Sequence, residues 1–220
     1  MKNLTKATEF FFIPYILILA PSTYALLIWS KAEIHLWMNQ YHSVFFDQFF
    51  KYLTNLGDGM TPVIIGIVFI LFSFRKSVYI LVTYIGTGLF AQILKRLFFS
   101  HMVRPVKFFD GMYHLHLVPG VHMYYEHSFP SGHATTAFAL FLCLAIIADR
   151  KYWSFLFSIL AILVAYSRIY LSQHFLIDAY VGSLIGTAGA LLLNRYIYHS
   201  DKKWLELSII QLLRKKKNEG

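Results

Sequence analysis

The stretch 152–171, YWSFLFSILAILVAYSRIYL, decides the fold, because its only charged residue is Arg168. A helix of this length crosses a hydrocarbon core of ~30 Å, since each residue adds ~1.5 Å. Similar apolar segments predict further spans at 9–29, 59–74, 77–97, 132–149 and 175–197. The sequence therefore predicts an all-α fold, an integral membrane bundle of six transmembrane helices.

The composition agrees with a bilayer environment. The 220 residues are 57% hydrophobic and only 14% charged, whereas a soluble domain is about 25% charged. This balance excludes an ordinary soluble enzyme, and a single cysteine, Cys143, excludes an internal disulfide framework or a cysteine-based zinc cluster. The basic residues that give the net charge of +9 lie between long apolar runs. They therefore indicate membrane topology, and no nucleic-acid partner is expected.

Two segments near the N-terminus allow alternatives. Segment 30–58 mixes aromatic and polar residues and predicts an amphipathic helix at the interface, anchored by Trp37 and Tyr41; a soluble helical hairpin is the alternative. The first apolar run resembles a signal peptide, but it continues past Pro21 and is longer than a signal core. We expect residues 1–220 to form a single membrane domain.

Basic residues predict the orientation. In the six-span arrangement a large group of basic residues lies on one side of the membrane. By the positive-inside rule this side is cytoplasmic. Both termini and the basic tail 198–220 are expected on the same side. The members of this group are Lys2, Lys6, Arg75, Lys76, Arg150, Lys151, Arg195, Lys202, Lys203 and Arg214 to Lys217.

A second group of charges lies on the opposite side, against this bias. Ionisable groups at the rim of a span are costly and indicate a functional site. Several cations around one carboxylate are suited to an anion, above all a phosphoryl group. The group comprises Lys95, Arg96, Arg104, His133, Arg168, His174 and Asp178.

Local spacing refines this expectation. Ser131 is a natural N-cap at the start of the fourth span, and Gly132 lets a ligand approach the free backbone N–H groups; a plain capped helix is the alternative. His174 and Asp178 are four residues apart, so the carboxylate can orient the imidazole. The alternative is a salt bridge between Arg168 and Asp178.

Three motifs resemble those of the type 2 phosphatidic acid phosphatase superfamily, membrane lipid phosphatases related to vanadium haloperoxidases. The family has a Lys followed by Arg-Pro, then Pro-Ser-Gly-His, then Ser-Arg, five residues, His, three residues and Asp. The second and third motifs match at 130–133 and 167–178 without a substitution. In the first, eight residues separate Lys95 from Arg104, two more than is usual, so Arg96 is a second candidate.

The resemblance implies a site and a mechanism. His174 would be the nucleophile that forms a phosphohistidine, Asp178 would orient it, and His133 would be the general acid. The phosphate would be held by Lys95, Arg104, Arg168, Ser131 and Gly132. No metal and no other cofactor is expected.

The implied partner is a lipid phosphate in the bilayer of a bacterial inner membrane, with the active site facing the periplasm. Candidate substrates are undecaprenyl pyrophosphate, lipid A phosphate, phosphatidylglycerol phosphate and phosphatidic acid. The alternatives are an anion-binding membrane transporter using the same cations and a haloperoxidase-like oxidation. A zinc or copper site at His114 and His116 is a further alternative. The stripe Gly182, Gly186 and Ala190 predicts close packing within the bundle or in a homodimer.

Overall fold

The computed structural model describes residues 5–219, and every regular element in that range is helical. Lys2, part of the predicted basic side, lies outside the described residues. The α-helices are α1 (Lys6–Glu9), α2 (Phe12–Ile28), α3 (Lys31–Asn39), α4 (Val44–Leu53), α5 (Met60–Phe72), α6 (Phe74–Ile93), α7 (Pro105–Phe108), α8 (Gly132–Ala148), α9 (Lys151–Tyr170), α10 (Leu176–Leu193) and α11 (Ile209–Glu219). Short 3₁₀ turns occupy Thr54–Gly57 and Lys203–Glu206, and π-helical turns extend α6 over Leu94–Phe98 and α10 over Asn194–Tyr198.

Four helical stretches in this range are long and apolar enough to cross a membrane. They are Lys6–Ile28, Phe74–Phe98, Lys151–Tyr170 and Leu176–Tyr198. The predicted second span corresponds to α5, which has 13 residues and meets the preceding helical segment at a bend of 51°. The predicted fourth span corresponds to α8, which has 17 residues. The chain is a multi-pass membrane protein with four or five such spans, and six spans remain a prediction.

The segment predicted as one interfacial helix forms two. Ser30 begins α3 with a capping box: its Oγ accepts a hydrogen bond from Glu33 N at 3.2 Å, and Glu33 Oε2 accepts one from Ser30 N at 2.8 Å. Ser43 caps α4 in the same way through Phe46 N. Helix α3 ends at Asn39, and Ser43, whose backbone is extended, begins the second helix as its N-cap. The location of this segment at the interface remains a prediction.

Helix α8 is the centre of the bundle, because twelve of its 17 residues are buried. The small residues of α10 allow this. A Cβ added at Gly186 would lie 2.3 Å from the carbonyl oxygen of Thr135, and one at Gly182 would lie 2.6 Å from that of Ser131. The stripe of small residues therefore packs within the chain, against α8. A homodimer through other surfaces remains a prediction.

The outer helices have the opposite character. Leu17 and Leu27 on α2 are 68% and 77% exposed, as expected for side chains that face lipid. At one end of the bundle, Thr5 Oγ1 donates a hydrogen bond to Asp149, and Lys151 Nζ lies 5.0 Å from the centre of the Phe10 ring. These contacts bring several of the basic residues that the sequence assigns to the cytoplasmic side to one end of the bundle.

Candidate active site

The start of α8 forms one wall of the site. Ser131 Oγ accepts a hydrogen bond from Ala134 N at 3.4 Å, as expected for an N-cap. The Ser131 backbone N–H donates to the carbonyl oxygen of Asp178 at 3.0 Å and so ties this turn to α10. A Cβ added at Gly132 would meet no heavy atom within 4 Å. The space beside Gly132 is therefore open, and an anion can approach the positive end of the helix.

The turn between α9 and α10 presents His174. The carbonyl oxygen of Arg168 accepts hydrogen bonds from the backbone N–H groups of Gln173 and His174, at 2.9 and 3.1 Å. Ser172 has a φ of 51°, a conformation that reverses the chain direction at the end of α9. As a result, the imidazole of His174 is buried, and its Nδ1 lies 3.4 Å from Asp178 Oδ2. The i, i+4 contact predicted from the sequence is present.

The Asp178 carboxylate has partners that the sequence analysis missed. Its Oδ2 accepts hydrogen bonds from Phe175 N, at 2.9 Å, and from the buried hydroxyl of Ser128. Among the described residues no Lys or Arg nitrogen lies within 4 Å of this carboxylate, and its contact within that distance is with the imidazole of His174. The alternative of an Arg168–Asp178 salt bridge is therefore not what the structure contains.

Arg168 is buried near the C-terminal end of α9. Its Nη1 donates to Thr54 Oγ1 at 2.7 Å, whereas its Nε has no hydrogen-bond partner among the described residues. Thr54 belongs to the 3₁₀ turn after α4, a residue that no sequence motif indicated. Part of this guanidinium is therefore left for another acceptor.

The structure distinguishes Lys95 from Arg96, the two candidates for the first position of the first motif. The π-helical turn Leu94–Phe98 buries Lys95, with 7% of its surface exposed, and leaves Arg96 exposed. This burial favours Lys95 over Arg96, and the role of Lys95 in holding phosphate remains a prediction. The interval of eight residues before Arg104 is accommodated in the loop after this turn.

Arg104 is held by the loop 98–131. Its Nε donates to the carbonyl oxygen of Glu126 at 2.9 Å, and its Nη1 donates to the side-chain oxygen of Gln173 at 3.1 Å. The guanidinium also lies 5.0 Å from the ring centre of Tyr124, a cation–π distance. Gln173, which no motif singled out, fixes Arg104 beside His174.

The electrostatics favour a neutral His174. Burial, followed by the positive charges of Arg104, Lys95 and Arg168, lowers the pKa of His174 well below its ordinary value. Burial also lowers the pKa of Arg104. Because the neighbouring carboxylate is an acceptor, we assign the proton to Nδ1, which leaves the Nε2 lone pair free. Such an imidazole is a nucleophile or a base.

His116 of the loop 98–131, part of the zinc or copper alternative, contacts protein side chains. His116 Nε2 lies 3.0 Å from Asp47 Oδ1, and the His116 ring stacks on that of His42. Among residues 5–219 no three His, Cys, Asp or Glu side chains are grouped so as to hold a metal ion.

The fold and the site define a class: a helical membrane protein in which three buried or partly buried cations surround a neutral histidine. A family model described as the PAP2 superfamily matches residues 76–202. The chain belongs to this superfamily, and the resemblance stated from the motifs is confirmed.

Individual relatives agree with this assignment. Over 98 residues the chain is 31% identical to "Putative undecaprenyl-diphosphatase YbjG" of Escherichia coli (strain K12); the match covers 41% of this chain and 48% of that relative, so it spans about half the relative's length. The crystal structure of Aquifex aeolicus LpxE is similar with a TM-score of 0.66 and 25% identity, over 74% of this chain and 94% of that one. The crystal structure of the first transmembrane PAP2 type phosphatidylglycerolphosphate phosphatase from Bacillus subtilis shares the fold, with a TM-score of 0.61 and 19% identity over 87% and 96% of the two chains.

Proposed function

We propose that this protein is a metal-independent lipid phosphate or pyrophosphate phosphatase that works through a phosphohistidine on His174. The single observation that carries the proposal is the buried imidazole of His174, which has a carboxylate 3.4 Å from Nδ1. Membership of the PAP2 superfamily and the name of YbjG support the reaction class.

In the first step the Nε2 lone pair of His174 attacks phosphorus. The new N–P bond forms as the bond from phosphorus to the lipid-side oxygen breaks, and His133 donates a proton to that oxygen. Lys95, Arg104 and Arg168 neutralise the charge on the equatorial oxygens, and the Ser131 hydroxyl and Gly132 N–H add hydrogen bonds. Positioning and fixed charge of this kind supply most of the catalysis in phosphoryl transfer.

In the second step water replaces the histidine. His133, now without its proton, takes one from the attacking water, whose oxygen bonds to phosphorus as the N–P bond breaks. Inorganic phosphate leaves, and His174 and His133 return to their starting forms. Asp178 holds the Nδ1 proton throughout and stabilises the positive charge that develops on the ring.

The membrane setting supports a lipid substrate. The cationic cluster lies at the end of the bundle opposite the contacts of Thr5 and Lys151, and by the positive-inside rule it faces the periplasm of a bacterial inner membrane. Undecaprenyl pyrophosphate, lipid A phosphate, phosphatidylglycerol phosphate and phosphatidic acid are the candidate substrates. The name of YbjG favours testing undecaprenyl pyrophosphate first.

The experiment measures phosphate release by the purified protein in detergent from each of the four lipids, with and without EDTA. We expect His174→Ala to abolish turnover and EDTA to have no effect. The matched control is His199→Ala, which alters an exposed histidine near the other end of the bundle. Labelled substrate should leave phosphate on the wild-type protein that is stable to base and labile to acid.

Phosphate release by His174→Ala at a rate near that of the wild type would contradict the mechanism. Anion binding with no phosphate release from any of the four lipids would favour the transporter alternative instead. Loss of activity in EDTA that zinc restores would contradict metal independence.

A further inference from the structure

Ser128 is a buried side chain outside every motif of the family resemblance. It lies in the loop before α8, with 1% of its surface exposed, and its backbone N–H donates to the carbonyl oxygen of Met102 at 2.8 Å. This backbone contact fixes the position of Ser128, and its hydroxyl points to the base of the site. There the hydroxyl lies beside His174 and Asp178.

The Ser128 hydroxyl bridges His174 and Asp178. Its Oγ donates a hydrogen bond to Asp178 Oδ2 and lies 3.5 Å from His174 Nδ1, while the direct distance between Nδ1 and Oδ2 is 3.4 Å. Both distances from Nδ1 are at the long end for a hydrogen bond. A proton on Nδ1 therefore has two acceptors within 3.5 Å, the carboxylate oxygen and a hydroxyl that itself donates to that oxygen.

The surroundings explain why the carboxylate needs this second contact. A small cavity of about 120 Å³ lies beside Asp178 and is lined also by Ser128, Lys31 and Phe175. Lys31 Nζ lies 4.9 Å from the centre of the Phe175 ring, close to the cavity. Without the hydroxyl, Oδ2 would keep Phe175 N–H as its backbone donor, but the carboxylate could pivot about that contact toward this space and the ammonium group, away from His174.

We propose that Ser128 is a positioning residue for the nucleophile: it locks the Asp178 carboxylate and shares the Nδ1 proton of His174. This inference rests on the proposed function, because it assigns His174 as the group that attacks phosphorus. Ser128 itself does not contact the substrate, so it acts on kcat through the orientation of the imidazole.

The test begins with Ser128→Ala, assayed by phosphate release from the best of the four lipids. We expect kcat to fall about 10- to 100-fold, the usual effect of losing one hydrogen bond to a charged group, with KM within about twofold of the wild type. Ser158→Ala is the matched control, since Ser158 is fully buried in α9 and its hydroxyl has no partner among the described residues. It should keep the kcat of the wild type.

A double-mutant cycle separates positioning from a general structural effect. If Ser128 acts through Asp178, adding Ser128→Ala to Asp178→Asn should change the residual kcat by less than about twofold, because the two contacts work as a unit. Ser128→Cys, which has a similar shape and a weaker donor, should give a kcat between those of the wild type and Ser128→Ala. All variants are compared at equal folded fraction, judged from thermal unfolding in the same detergent.

Three results would overturn the inference. They are a kcat for Ser128→Ala equal to that of the wild type, an equal loss in the wild-type and Asp178→Asn backgrounds, and a rise in KM that accounts for the whole effect. In each of these cases an inactive His174→Ala would leave the proposed function standing. An active His174→Ala would overturn both.

Discussion

Two arginines at opposite ends of the bundle carry the same charge in different settings. Arg75, at the start of α6, donates from Nη1 to the carbonyl oxygens of Tyr198 and Ser200, each at 2.7 Å, and forms an ion pair with Glu206. Arg168, near the C-terminal end of α9, is more deeply buried and has no acidic partner within 4 Å among the described residues.

The difference separates structural from functional cations. A guanidinium whose donors are occupied by carbonyl and carboxylate oxygens holds the chain together and has little capacity left for a ligand. A buried guanidinium that lacks a counter-ion costs stability. In Arg168, where the protein provides one hydroxyl, that cost is explained if a substrate phosphate completes the site.

The largest expected effect comes from exchanging each arginine for methionine. Arg168→Met should lower kcat by about 10²–10³-fold, as expected when a charge-stabilising donor is removed. It should also raise the stability of the free protein by about 1 kcal/mol or more, because an uncompensated buried charge is removed. Arg75→Met should do the reverse, lowering the unfolding temperature and leaving kcat per folded molecule unchanged.

Steady-state phosphate release and thermal unfolding in one detergent measure both quantities. The comparison fails if Arg168→Met is less stable than the wild type, since Arg168 would then be a structural residue like Arg75. It also fails if Arg75→Met lowers the kcat measured per folded molecule.

The contact between α8 and α10 supports the site where Ser131 N–H donates to the carbonyl oxygen of Asp178, and the second prediction tests that contact. Gly186→Ala would bring a Cβ to 2.8 Å from the backbone nitrogen of Ala139 and closer still to a carbonyl oxygen. Overpacking of this kind costs about 1–3 kcal/mol. Gly88→Ala, where an added Cβ meets no heavy atom within 4 Å, is the control and should match or slightly exceed the wild type.

Unfolding free energies in a mixed-micelle titration would measure this difference. Equal stabilities for the two variants would mean that α8 and α10 can separate at little cost. The turn at Ser131 and the carboxylate of Asp178 would then lack rigid support beside His174.

Much of this arrangement could be predicted from the sequence because it follows periodic rules. Hydropathy located the apolar helices, and helical spacing brought His174 and Asp178 together. The spacing of Gly182 and Gly186 predicted close packing, although sequence alone could not tell an internal contact from a dimer. These are local features, and each depends on only a few neighbouring residues.

The missed features depend on contacts between distant parts of the chain. Ser128, Gln173 and Thr54 reach the site from loops and turns, where no repeat relates position to direction. The choice between Lys95 and Arg96 needed the π-helical turn, which changes the register of the side chains at the end of α6. The bend before α5 lies at Asp58, whose extended backbone interrupts the helical path.

A buried charge without a counter-ion would cost stability at His35 as it does at Arg168. Unlike the guanidinium, the imidazole can avoid this cost by staying neutral. This residue of α3 is 1% exposed and lies between the rings of Phe109 and Phe175, at centroid distances of 5.8 and 5.4 Å. Its Nε2 is 3.2 Å from Ser172 Oγ, and its Nδ1 has no partner among the described residues. Burial lowers the pKa of His35 to about 4.

The third and smallest prediction is a loss of stability in acid. The unfolded chain takes up a proton on His35 near its ordinary pKa of about 6.5, whereas the folded protein does so only near pH 4. The contribution of neutral His35 to the free energy of unfolding is therefore fully present above pH 6.5 and decreases as the pH is lowered toward 4. At pH 5.5 the free energy of unfolding has fallen by roughly 1 kcal/mol. In His35→Asn this part of the pH dependence should disappear, while His199→Asn, at an exposed position, should retain it. An unchanged pH dependence in His35→Asn would mean that the folded protein tolerates a charged imidazole beside Ser172. A buried cation without a counter-ion would then cost little in this fold, and the bare guanidinium of Arg168 would no longer indicate a phosphate site.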